Sequence, residues 1–175
     1  MCAAYRCVAA FLAAALLIFL SALTTHSSAS AREIVPFNGG VAAGTIVVRT
    51  NERRLYLVLG QGRALRYPVG VGRVGRQWAG TSFIEGKYVR PDWAPPPDIK
   101  RERPNLPNVI AGGSPANPMG VAAMTLSGGD YAIHGTNAPD SIGGFVSYGC
   151  IRMYNQDITD LFARVGIGTP VLVTR

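Results

Sequence analysis

Apolar residues recur at every second position between residues 55 and 71, a period that admits strands and excludes helices. Leu55, Leu57 and Leu59 share one parity, and Leu65, Tyr67, Val69 and Val71 continue it beyond a Gly60-Gln61-Gly62 turn. Side chains two residues apart share a face only in a strand. A short apolar run, Ile46–Val48, precedes them, and Asn51-Glu52-Arg53 supplies the first turn. The spacing therefore predicts a meander of short strands. Further strands are expected at Phe83–Val89, Gly120–Leu126, Asp130–His134 and Val171–Thr174.

One short helix is expected, at about 156–165, where Ile158, Leu161, Phe162 and Val165 follow helical spacing. Asn155 reads as its N-cap, Asp157 and Asp160 suit its early turns, and Arg164 and Gly166 suit its end. The predicted class is mainly β. Eight of the 12 prolines fall between Pro91 and Pro118. That density excludes a central strand or a helix and reads as a long functional or mobile loop. Trp93 in this loop has two readings, a groove wall for a ligand or an anchor that pins the loop to the core.

The first 31 residues read as a cleaved secretory signal. Arg6 gives a positive start, Val8–Leu23 is a 16-residue apolar run, and Ala29-Ser30-Ala31 is a small-residue cleavage pattern. The run is short against the ~20 apolar residues of a membrane span, which leaves an uncleaved N-terminal anchor as the lesser alternative. Residues 32–43, with Gly39-Gly40, read as a linker, and 44–175 as one domain. The whole chain carries +7, and Arg6 leaves with the signal to give +6. An exported basic protein points to an anionic envelope polymer or membrane surface as its partner, and not to nucleic acid.

Cys2, Cys7 and His26 leave with the same segment, so one Cys and one His remain, both in the last third of the chain. A single thiol forms no internal disulfide and needs a use in an oxidising compartment. A thiol and an imidazole are the minimum equipment for acyl transfer through a thioester. His134 ends the strand Asp130–His134, with Ala132 on its face and Tyr131 and Ile133 on the other, and Gly135 follows. Cys150 follows Gly149, which has no side chain to obstruct a substrate carbonyl. The N–H groups of Tyr148, Gly149 and Cys150 are expected to form a concave donor cluster, an oxyanion hole. Zinc fails on count, since it needs three or four protein ligands. A papain-like protease fits poorly, because here the His precedes the Cys.

The stretch Ile133-His134-Gly135-Thr136, then Ser147-Tyr148-Gly149-Cys150-Ile151-Arg152-Met153, resembles the YkuD-type L,D-transpeptidase signature. Gly112-Gly113, Asn117-Pro118-Met119-Gly120 and Val165-Gly166-Ile167-Gly168-Thr169-Pro170-Val171 are similar to its ErfK/YbiS subgroup, and the likeness covers roughly Gly44 to Arg175. One departure stands out: many members have His where this chain has Tyr148.

The resemblance implies a β-sandwich catalytic domain without a cofactor, in the periplasm or cell envelope. Cys150 would be the nucleophile, His134 the general base and later acid, and Gly135 would orient the imidazole through its carbonyl. The backbone at Tyr148, Gly149 and Cys150 would hold the oxyanion, and Ser147 would support the loop. Arg152 would grip a substrate carboxylate, or else form a salt bridge with Asp157 or Asp140. The substrates implied are peptidoglycan tetrapeptide stems, cut at the L-centre of meso-diaminopimelate with loss of D-Ala. The acceptor would be another stem, giving a 3→3 cross-link, or an envelope protein, and carbapenems would be covalent inhibitors. Hydrolysis of the same acyl-enzyme, an L,D-carboxypeptidase activity, and an inactive wall-binding module are the alternatives.

Overall fold

The computed structural model describes residues 32–175. The expected signal segment, 1–31, lies outside the described residues. Eleven strands are described: β1 (Glu33–Pro36), β2 (Ile46–Arg49), β3 (Arg54–Gly60), β4 (Arg63–Pro68), β5 (Val71–Gly72), β6 (Gly80–Val89), β7 (Ala122–Leu126), β8 (Ala132–His134), β9 (Phe145–Ser147), β10 (Ile151–Arg152) and β11 (Pro170–Thr174). Two helices accompany them, α1 (Pro97–Glu102) and α2 (Asn155–Arg164). The mainly β expectation holds, and no described helix is long and apolar enough to cross a membrane.

The large sheet runs β1-β4-β3-β2-β11-β6-β7-β8-β10, while β5 and β9 pair separately. β6 joins its two halves: residues 80–83 pair with β11, whereas residues from Ile84 to Val89 pair with β7 across a register shift. Both halves contribute to one core. Ile46, Leu55, Tyr67, Ile84, Met124, Ile133 and Ile151 are fully buried there, with Ile158 and Leu161 from α2. Truncating one such side chain to Ala costs roughly 2–5 kcal/mol. Helix α2 is tied down at its middle and its C-terminal end. The Tyr67 hydroxyl donates to Asp160 at 2.7 Å, and Lys87 Nζ donates to the Phe162 and Val165 carbonyls, each at 2.6 Å. A cation on the last carbonyls of a helix satisfies acceptors that have no partner within the helix.

Three local expectations change. The segment read as a linker contains β1, whose Ile34 and Val35 face Leu65 and Ala64 of β4 in an antiparallel pair. Its residues are largely exposed, so backbone pairing and not burial makes the strand. The proline-rich loop holds α1, because Pro96 and Pro97 stand at its start, where a helix needs no N–H from them. Finally, Asn155 is the first helical residue and Tyr154 the cap, without a side-chain capping bond. The Asn155 amide is used elsewhere, accepting from Thr136 N–H at 3.0 Å and Val121 N–H at 3.3 Å.

Candidate active site

β8 and β10 run parallel, with Ile133 beside Ile151 and His134 beside Arg152. Ile133 and Ile151 enter the core. The opposite parity therefore carries His134, Arg152 and Cys150 to the other face of the pair, Cys150 standing one residue ahead of β10. Two short parallel strands thus set the segments that carry the Cys and the His of the described residues side by side.

His134 is buried, and its Nδ1 lies 2.6 Å from the Gly135 carbonyl oxygen. A carbonyl only accepts, so Nδ1 carries the proton and Nε2 holds the free lone pair. Burial lowers the imidazole pKa from 6.5 to about 4; the Arg152 charge adds to this, and the Gly135 and Pro118 carbonyls oppose it. Cys150 is a free, half-buried thiol. Burial raises its pKa above the ordinary 9.0, while the Ala132 backbone and the Arg152 charge pull the other way. Neutral thiol and neutral imidazole are therefore the resting forms. The thiol's hydrogen-bond contact among the described residues is a long one, 4.0 Å to the Asp130 carbonyl, and not to His134.

The turn before Cys150 is closed by Ser147. Its hydroxyl accepts from Gly149 N–H at 3.1 Å and donates to the Cys150 carbonyl at 2.6 Å. The expected three-donor cluster is thereby corrected: the Gly149 N–H is engaged, and Tyr148 and Cys150 keep theirs without a hydrogen bond among the described residues. Gly149 has φ +126°, and a Cβ there would lie 2.3 Å from Tyr131 Cε1. Conformation and contact each demand glycine at this position.

Arg152 forms no salt bridge with Asp157 or Asp140. Its Nε is buried without a partner, and burial, with Arg103 nearby, lowers its pKa. Asp157 lies instead 4.0 Å from Arg32. An arginine held beside a thiol with a donor unused can receive a carboxylate.

Several contributors escape a reading of the sequence. Trp78 stacks on Tyr131 with ring centroids 4.9 Å apart, and its indole N–H donates to the Gly149 carbonyl at 2.9 Å. Asn117, almost wholly buried, is placed to donate from Nδ2 to the carbonyls of Pro91, Ile110 and Ala111 and accepts from Met119 N–H. It ties the two ends of the proline-rich loop together. Trp93 contributes through its backbone, which pairs with Ile110. Glu102 of α1 binds Arg73, Arg76 and the Tyr148 hydroxyl, while the Arg73 guanidinium lies 4.1 Å from the Tyr148 ring centroid. A cleft of about 520 Å³ opens by Asn117, lined among others by Arg90, Thr136, Asn137 and Asn155, and His134, Cys150 and Arg152 are not among its lining residues. Asn117 was legible only as part of the Asn117-Pro118-Met119-Gly120 likeness, and its bonding was not, because a buried amide that satisfies backbone groups leaves no periodic pattern.

Known proteins resemble this chain in sequence and fold. The profile of the YkuD L,D-transpeptidase catalytic domain matches residues 43–173. The Escherichia coli (strain K12) protein named Probable L,D-transpeptidase ErfK/SrfK is 42% identical over 137 residues, covering 73% of this chain and 43% of its own. The chain thus spans less than half the length of that relative. Among solved structures, the Enterococcus faecium L,D-transpeptidase superposes with a TM-score of 0.61 at 18% identity, over 77% of this chain and 50% of that one. An LD transpeptidase in complex with imipenem superposes with a TM-score of 0.57 at 16% identity, over 74% and 58%. Matched along nearly all of its described length, this chain belongs to the YkuD family of L,D-transpeptidase catalytic domains.

Proposed function

We propose that this protein is an exported, cysteine-dependent L,D-transpeptidase acting on peptidoglycan tetrapeptide stems in the periplasm. The observation that carries the reading is the contact of His134 Nδ1 with the Gly135 carbonyl, on the strand that pairs with the one following Cys150. A proton on Nδ1 leaves Nε2 as the basic nitrogen in this reading. Export is supported by the apolar run Val8–Leu23.

In this reading Cys150 Sγ bonds to the carbonyl carbon of the third stem residue's L-centre, meso-diaminopimelate, while the thiol proton passes to His134 Nε2. The oxyanion that forms is received by the N–H groups of Tyr148 and Cys150. The C–N bond to D-Ala then breaks, and the proton leaves with the D-Ala amine. An incoming amine, from another stem or an envelope protein, attacks the thioester and forms the new amide. It returns its proton through His134 to the Cys150 sulfur. Arg152, with its buried and unused Nε, receives a substrate carboxylate.

The test is product analysis of the protein incubated with tetrapeptide muropeptides. The expected products are free D-Ala and a 3→3 dimer, both lost in Cys150→Ala. A tripeptide without dimer shows water as the acceptor, and no product at all sinks the proposal. A carbapenem should also add its mass to the wild-type chain and not to Cys150→Ala, a result suggested by the neighbour bound to imipenem.

A further inference from the structure

The polar groups around Gly149 divide in a way that gives Trp78 a task. Ser147 takes the Gly149 N–H and the Cys150 carbonyl. Trp78 Nε1, 71 residues away in the chain, takes the Gly149 carbonyl at 2.9 Å. No cis peptide bond is described, so the Gly149 carbonyl and the Cys150 N–H, which belong to one planar peptide, point in opposite directions. Fixing the carbonyl fixes the N–H. The indole is itself held: it lies 4° from parallel with the Tyr131 ring, and both rings pack against the core. Tyr131 in turn abuts Gly149 on the side where a Cβ would stand.

We propose that Trp78 is a positioning residue for acyl transfer: its indole N–H sets the plane of the Gly149–Cys150 peptide so that the Cys150 N–H faces the reacting carbonyl oxygen. The inference rests on the thioester reading above. Trp78 hydrogen-bonds the Gly149 carbonyl and acts through the peptide it holds. A tryptophan that served only to fill the core would be replaceable by another aromatic without loss of rate.

The test compares wild type with Trp78→Phe, which keeps a ring on Tyr131 and loses the donor, and with a chain carrying 3-benzothienylalanine at position 78, which replaces only the N–H by sulfur. D-Ala release from tetrapeptide reports acyl transfer. Alkylation of Cys150 by iodoacetamide reports thiol access and acidity, and needs no oxyanion donor. Removing one oxyanion donor outright costs about 10²–10³-fold in kcat, so a misaligned one is expected to cost about 10-fold or more, with KM and alkylation rate within about twofold of wild type. Rates of D-Ala release within twofold of wild type in both variants overturn the proposal, as does alkylation that slows in parallel with release. A wild type that releases no D-Ala, or release that persists in Cys150→Ala, overturns the function and this inference with it.

Discussion

The Tyr148 hydroxyl donates to the Glu102 carboxylate, joining the turn that precedes the thiol to the helix carried by the proline-rich loop. The same carboxylate takes both bonds of Arg73 at 2.8 Å, and Arg76 bridges Glu102 to Asp98. Tyr148 is thus a residue that clasps a loop. Each pair is about 40% exposed, so its strength is modest and screened by salt. Glu102→Ala is expected to raise amide hydrogen exchange and proteolytic nicking across 97–103 with little change in melting temperature. The Glu102 carboxyl is lowered below its ordinary 4.5, first by Tyr148 and then by Arg73. The clasp should hold above that value and loosen only as pH falls below it. Unchanged exchange in the variant would show the clasp to be idle.

His134 gives the sharpest pH prediction. Its folded pKa, about 4, lies below the ordinary 6.5, so the unfolded chain binds the proton first as pH falls. Its contribution is complete above pH 6.5 and is lost progressively down to about pH 4, a change of about 3 kcal/mol by the linkage relation. Melting temperature should drop across that window more in wild type than in His134→Gln. The acid limb of kcat/KM should likewise fall near pH 4 and not near 6.5. Equal pH slopes in the two proteins would contradict the burial argument.

Cys150 should react as a thiol and not as a resting thiolate. Burial holds its pKa above 9.0, so the iodoacetamide rate should climb through the alkaline range without a plateau near neutrality. A plateau at neutral pH would mean a preformed thiolate–imidazolium pair. Such a pair would make His134 a counter-ion in the resting enzyme and no longer a base called on during attack.

Gly149→Ala should remove acyl transfer. The substitution places a side chain at φ +126° and drives its Cβ into the Tyr131 ring, a strain of about 1–3 kcal/mol from conformation alone. Circular dichroism and D-Ala release measured together check it. A folded variant with wild-type rate would refute the account of the turn.

The strands were legible where two faces differ in burial. Leu55, Leu57 and Leu65 keep their parity in the main core, but Tyr56, Val58 and Ala64 of the other parity are buried too, in a second cluster with Phe37 and Val47 that the alternation did not reveal. The juxtaposition of His134 and Cys150 was legible as a motif, but the parallel pairing of β8 with β10 that creates it was not. Helix α1 was invisible because none of its six residues is buried, so it carries no apolar period. Its bonds to Arg73 and Arg76 come from another part of the chain. Asn155 misled for a related reason. Locally it suits an N-cap, but the backbone of Val121 and Thr136 competes for the same oxygen and prevails. Trp78 and Asn117 act across sequence separations that no local pattern records.

The central claim is a covalent intermediate on Cys150, and the intact mass of the protein quenched in acid during turnover with a tetrapeptide muropeptide tests it directly. The account predicts an added acyl group equal to the substrate less D-Ala, mapped to Cys150 and absent from Cys150→Ala, with one D-Ala released for each adduct. D-Ala release that persists in Cys150→Ala, or an adduct mapped to any other residue, would contradict it.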